Sequence, residues 1–178
     1  MPLANVNSPR GFTLYQPGGK REVKRIERHV LASRGSDLMV GDAYTLDSGN
    51  NASKATAGDP VYGIVEGIQV APIAASPQGP VSQDYIPAAD SGDIIGIEDP
   101  DAVFNVQVTT IDITTQGNAK ANLLDAPGSE ALRRSRQEID GGTLGAGTQF
   151  QVLGLVPSPA DNASGAFAQI MVRMLQTL

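Results

Sequence analysis

The feature that most constrains this fold is a recurring phrase, a Gly-Asp pair followed at once by a short run of branched or aromatic residues. It occurs in LMVGDAYTL (38–46), in ATAGDPVYGIVEGIQV (55–70) and in SGDIIGI (91–97). Glycine reaches positive φ without steric cost and aspartate bonds its own backbone, so the pair turns the chain. Val, Ile and Tyr then suit a pleated, half-buried surface. The first two phrases lie about 17 residues apart, which is hairpin spacing. With 20 Gly and 12 Pro among 178 residues, little uninterrupted chain is left for long helices. An all-β protein is expected, a β-barrel or jelly-roll-like sandwich with at most one short helix. A chain of this length is sufficient to bury a proper core.

Other segments fit that frame. AVFNVQVTTIDI (102–113) is the cleanest strand, with Phe104, Val106 and Val108 alternating against Asn105 and Gln107. The C-terminal stretch from Thr148 reads as two strands about a Pro/Asn/Gly turn, the second burying Ile170, Val172 and Met174. RIERHVLAS (25–33) works as a strand, although Val23, Ile26 and Val30 also suit a helix face; the surrounding pattern favours strand. In PGSEALRRSRQEIDGG (127–142), Ser129 can cap a short helix, Glu130 can pair with Arg133 or Arg134, and Gly141–Gly142 would stop it. Residues 71–90 read as a long surface loop. Residues 1–19, rich in Pro, Asn and Ser, read as an extended arm that orders on docking. The expected organisation is a basic arm and first strand over 1–34 and a β-rich domain over 35–178.

The chemistry-bearing residues point away from catalysis. There is no cysteine, hence no thiol nucleophile, thiolate metal site or disulfide framework. His29 is the only histidine, so a triad or multi-histidine metal site would rest on it alone. GGTLGAG (141–147) and PGGKRE (17–22) lack the spacing of a phosphate loop. In EDPD (98–101), Glu98 and Asp99 are adjacent, Pro100 stiffens the chain, and no glycine or distal glutamate follows as a calcium loop requires. It reads as a turn with solvated carboxylates that launches the next strand. Neither a cofactor nor a metal is expected, and the chain is expected not to be an enzyme. No stretch reaches the ~20 apolar residues of a membrane helix, and the polar N-terminus does not read as a secretion signal.

Charge is unevenly distributed. Residues 1–34 hold seven basic residues against two acidic, about +5, whereas the remainder holds six against seventeen, about −11. An acidic body disfavours nucleic acid, and no aromatic platform accompanies the cations, so an acidic protein surface is the expected partner. Arg10, Lys20, Arg21, Lys24, Arg25 and Arg28 are the candidate contacts from the arm and first strand, and Arg133, Arg134 and Arg136 are candidates to clamp a neighbour's carboxylates.

Three stretches, DIIGIEDPDAVFNVQ, APGSEALRRSRQEID and FQVLGLVPSPADNASGAFAQIMVRML, resemble a family of tailed-bacteriophage capsid decoration, or cement, proteins. The resemblance rests on Asp99, Pro100, Phe104, Val106 and Gln107; on Glu138, Ile139 and Asp140; on Phe150, Leu155, Pro157, Asp161 and Asn162; and on Val172, Arg173 and Met174. GDPVYGIVEGI (58–68) fits the upstream hairpin, and the likeness spans residues 35–178. EALRRSRQE departs from the Gly/Thr-rich versions of the family. The resemblance implies a virion protein on the capsid exterior, made in the bacterial cytoplasm. It further implies a homotrimer that binds the major capsid protein, without nucleic acid or membrane partners. The alternative from another class is a virion-borne carbohydrate-binding module for host adhesion. That reading needs an aromatic platform, and the aromatic residues are scattered along the chain. A hydrolase built on Asp/Glu pairs comes third.

Overall fold

The computed structural model describes residues 5, 7–15, 22–32, 35–69, 85–128, 134–157 and 162–175. In chain order its strands are β1 (Thr13–Leu14), β2 (Arg25–Val30), β3 (Leu38–Met39), β4 (Ala43–Leu46), β5 (Ala52–Lys54), β6 (Gly63–Gln69), β7 (Tyr85–Ile86) and β8 (Gly92–Ile97). They continue with β9 (Phe104–Gln107), β10 (Thr110–Ile111), β11 (Lys120–Ala121), β12 (Leu123–Leu124), β13 (Glu138–Ile139), β14 (Phe150–Leu155), β15 (Gly165–Ala166) and β16 (Gln169–Met174). The protein is all-β. Two five-stranded antiparallel sheets, ordered β1-β9-β16-β14-β11 and β2-β8-β6-β4-β5, carry the architecture, and three two-stranded ladders accompany them. Both large sheets are open, each with two edge strands.

The sheets share one core. Ala43, Ile64 and Ile97 of the second sheet join Phe104, Val106, Phe150, Val152, Ile170 and Val172 of the first in a single buried cluster. Because strand side chains alternate, the second sheet also buries its other face. Val30, Tyr44, Val65 and Ile94 form a second cluster with Leu38 and Ile86, which come from the β3–β7 ladder. Tyr44 fits there because Gly63 and Gly96 leave room: a Cβ on either would lie within 2.5 Å of its hydroxyl oxygen.

Two of the three Gly-Asp phrases are turns. Gly41 and Gly58 have φ of 88° and 89°, and Asp42 and Asp59 accept backbone N–H bonds from Met39 and Thr56, both at 2.8 Å. The third is not a turn. Gly92 and Asp93 already lie in β8, and the turn before it is closed by Asp90 N–H donating to Pro87 O. Residues 25–30 form a strand rather than a helix, paired along its length with β8. The closing strand buries Ile170, Val172 and Met174 as expected, and Asn162 ties its approach by donating to Val156 O and Gln169 O.

Three expectations need correction. The helix placed at 129–140 does not extend through its described part. Residues 134–137 are non-helical and Glu138–Ile139 pairs with β12, while residues 129–133 lie outside the described residues. The cause is a side chain that acts as a long-range clamp. Gln137 accepts from Ala43 N–H at 2.7 Å and donates to Ala55 O at 2.9 Å, contacts that hold the chain extended against weak local helix pairs. The short helix is instead Ile113–Gln116, capped by the Asp112 carboxylate on Thr114 N–H. The loop placed at 71–90 contains β7, which pairs with β3; residues 71–84 lie outside the described residues.

The third correction concerns the arm. Residues 7–15 are docked on this chain's own body. Thr13 and Leu14 pair with Asn105 and Phe104 as an edge strand, and Phe12, only 2 % exposed, stacks on Phe150 at 4.8 Å. Burying a phenylalanine is worth about 1.5–3 kcal/mol, which offsets the entropy of fixing that residue of the arm.

Candidate interaction surface

The cations singled out in the sequence fall into two structural groups. Arg25 and Arg28 are engaged within their own sheet. Arg28 donates twice to the Glu98 carboxylate, at 2.6 and 2.8 Å, and the Tyr44 hydroxyl donates to the same carboxylate at 2.9 Å. Burial alone would push the Glu98 carboxyl up, but the Arg28 guanidinium and the Tyr44 hydroxyl outweigh it and hold it below its usual range. Burial, then the Glu98 charge, drives the Tyr44 phenol far up, so it stays a donor. The motif EDPD is thus a turn, with Ala102 N–H closing on Asp99 O and Asp101 N–H on the Asp99 carboxylate. Its carboxylates are not all solvated, however. Glu98 and Asp99 are buried, because β8 carries Glu98 onto the face that holds Tyr44 and Arg28.

Arg25, exposed along half its side chain, pairs with Glu66, and His29 Nδ1 lies 2.8 Å from the Asp93 carboxylate. Lys24 is exposed, and its charge also acts on Glu98. Lys20, Arg21 and Arg133 lie outside the described residues.

Arg10, Arg134 and Arg136 form the other group. All three are exposed, and none makes an ion pair with another described residue. The sequence separates Arg10 from the other two by more than a hundred positions, yet the fold brings their backbones together. Gly11 approaches Ser135 so closely that a Cβ on Gly11 would lie 2.5 Å from both Ser135 Cβ and Oγ. Arg10 flanks one side of that contact and Arg134 and Arg136 flank the other. Ser135 and Gln137 are buried between and beyond the two arginines, so the extended segment presents its cations on the solvent side.

Beside this contact lies a cavity of about 430 Å³ lined mostly by polar residues. Asn105, Gln107 and Gln169 of the first sheet line it together with Ser8, Arg10 and Thr13 of the arm. Gln107 is saturated: it donates to Glu138 and Asn7 and accepts from Ser8 N–H. Asn105 Oδ1 is buried without a hydrogen-bond partner. These amides carried no catalytic or charge signal in the sequence. They were legible only as the polar half of an alternating strand.

A second charge network centres on the buried Lys54. Lys54 Nζ contacts the Asp125 carboxylate at 2.7 Å and donates to Ala126 O. Nearby, the Asp42 carboxyl is pushed up to about 6 by burial, against the pull of Lys54, the Ser135 hydroxyl and Met39 N–H. Among the described residues, no group of three or more His, Asp or Glu side chains could hold a metal ion. Phe12, Tyr44, Phe104 and Phe150 are buried, which removes them from any aromatic platform on the surface. Compared with protein-family models, curated proteins and solved structures, the chain finds no match.

Proposed function

We propose that this protein is a capsid decoration protein that binds the outer surface of an expanded bacteriophage capsid and stabilises it, as a homotrimer at three-fold or quasi-three-fold positions. The observation that carries the reading is the close approach of Gly11 to Ser135, whose chain neighbours Arg10, Arg134 and Arg136 are all exposed, on a chain of net charge −6. Such a surface favours an acidic protein partner over nucleic acid. The family resemblance over residues 35–178 supplies the identity of that partner as the major capsid protein. In this reading the two open sheets over their shared core are a jelly-roll-like sandwich, the form a rigid cement module requires.

Energetics agree with a repeated, multivalent contact. One exposed ion pair contributes only ~0–1 kcal/mol, so three arginines would hold a single copy weakly. A trimer that engages several capsid subunits at once gains avidity without any new contact. The protein would then reside on the virion exterior after synthesis in the host cytoplasm.

The test is co-sedimentation of the purified chain with expanded, undecorated capsids. Saturation at a fixed ratio, with a raised capsid melting temperature, supports the reading. Reversal of Arg10, Arg134 and Arg136 to glutamate should lower occupancy. Charge reversal is preferable to deleting the arm, because deletion would also remove Phe12 from the core. Absence of capsid binding would overturn the proposal.

A further inference from the structure

We infer that the cavity beside the Gly11–Ser135 contact is a binding site for an extended acidic peptide segment, with the amide of Asn105 reading its backbone and Arg10, Arg134 and Arg136 reading its carboxylates. The inference rests on the capsid reading only for the identity of the protein that supplies the segment.

The cavity exists because a β-ladder is interrupted. Pairing of β1 with β9 runs through Leu14–Phe104 and Thr13–Asn105. The same register would set residue 11 opposite Gln107. Gly11 instead adopts φ of 70° and turns away, while Phe12 N–H bonds to Gly41 O at 2.8 Å. The arm bridges the gap through the Gln107 side chain, which accepts from the Ser8 backbone N–H and donates to Asn7 Oδ1. What is left is about 430 Å³ beside a strand edge, a volume in the range of small-ligand sites.

Its chemistry is that of peptide recognition. A buried amide oxygen without a donor is desolvated and uncompensated, which native proteins avoid. The Asn105 amide lies on the cavity wall and can turn about its Cβ–Cγ bond to accept a peptide N–H or donate to a peptide carbonyl. Gln169, opposite Gln107 in the β9–β16 register, adds a second amide. Glu138, which is buried, accepts from Gln107 Nε2 at 2.8 Å, so its carboxylate is engaged by the cavity wall. The guanidinium of Arg10 on the cavity wall, with those of Arg134 and Arg136 beyond the Gly11–Ser135 contact, can match carboxylates in bidentate geometry. None of the residues that line the cavity is aromatic, which disfavours a sugar ring.

The test titrates the full-length chain with a capped hexapeptide of alternating Glu and Asn, followed by NMR. A Gln/Asn peptide, sodium glucuronate and inorganic phosphate serve as comparison probes. Saturable shifts confined to the amides of Gly11, Asn105, Gln107 and Gln169, with the Gln/Asn peptide binding about tenfold weaker, are expected. Arg134→Glu with Arg136→Glu should weaken the acidic peptide by a similar factor. Asn105→Ala should weaken both peptides. Gln169→Ala, at the second amide of the cavity wall, repeats the test should Asn105→Ala melt early. Shifts spread over all basic residues, equal affinity for phosphate, or preference for glucuronate would each overturn the inference. Peptide binding without capsid binding would leave this site standing and sink the capsid reading. Capsid binding with no peptide response would do the reverse.

Discussion

Gly11 and Ser135 touch at a separation that no side chain larger than hydrogen can share: a methyl on Gly11 would lie 2.5 Å from Ser135 Cβ and Oγ and equally close to Gly41 O. That contact joins the N-terminal arm, the turn before β4 and the arginine-bearing segment before β13.

Gly11→Ala therefore meets two penalties, a left-handed φ costing about 1–2 kcal/mol and an overlap costing about 1–3 kcal/mol. The melting temperature should fall. Hydrogen exchange should quicken at Thr13 and Tyr15, whose N–H groups depend on the arm's pairing with β9 and Val103.

Phe12→Ala tests whether the arm belongs to the core. Loss of a buried phenylalanine that stacks on Phe150 should cost about 3–5 kcal/mol in urea denaturation. A loss below ~1 kcal/mol would mean that the arm is held elsewhere.

Arg28→Ala leaves the buried Glu98 with only the Tyr44 hydroxyl, and a stranded buried charge should cost about 3–5 kcal/mol. Arg25→Ala, on an exposed pair with Glu66, should cost ~0–1 kcal/mol. The contrast between these two neighbours on one strand, measured by chemical denaturation, is the readout. Glu98 also adds acid sensitivity: its folded carboxyl lies below its ordinary value, so its contribution is present above the ordinary carboxylate range and is lost as pH falls through the lowered value.

Asp42 acts in the opposite sense. Its folded value of about 6, against 3.8 for the free side chain, means that the native state binds the proton more tightly. Stability is therefore highest, for this group, below about pH 4 and declines as pH rises through 6, by roughly 3 kcal/mol in total. Asp42→Asn removes that slope. The stability of the variant minus that of the parent should rise by roughly this amount between pH 4 and pH 7, whatever constant offset the new amide introduces. A difference flat with pH would show that Asp42 titrates in the native state as it does in the unfolded chain.

Much of the fold was legible because its signals are local. Alternation marked β9 and β16, branched residues marked β2, and two Gly-Asp pairs marked turns. The misreadings came where a partner lies far along the chain. Glu98 looks solvated until Arg28, seventy positions away, is placed beside it. Residues 134–140 look helical until Gln137 reaches Ala43 and Ala55. The candidate surface was legible as charge but not as geometry: nothing near Arg10 in the chain indicates Ser135, and nothing about Asn105 indicates that its amide would lack a partner.

The order of strands in the first sheet has a consequence for biosynthesis. β16, at Gln169–Met174, is inserted between β9 and β14. The second sheet draws only on residues up to Ile97 and can assemble while the ribosome is still translating. The first sheet must wait for nearly the whole chain. Until it arrives, Ile64 and Ile97 have no opposing layer, and a nascent or prematurely terminated polypeptide would present that apolar face to chaperones and to other nascent chains.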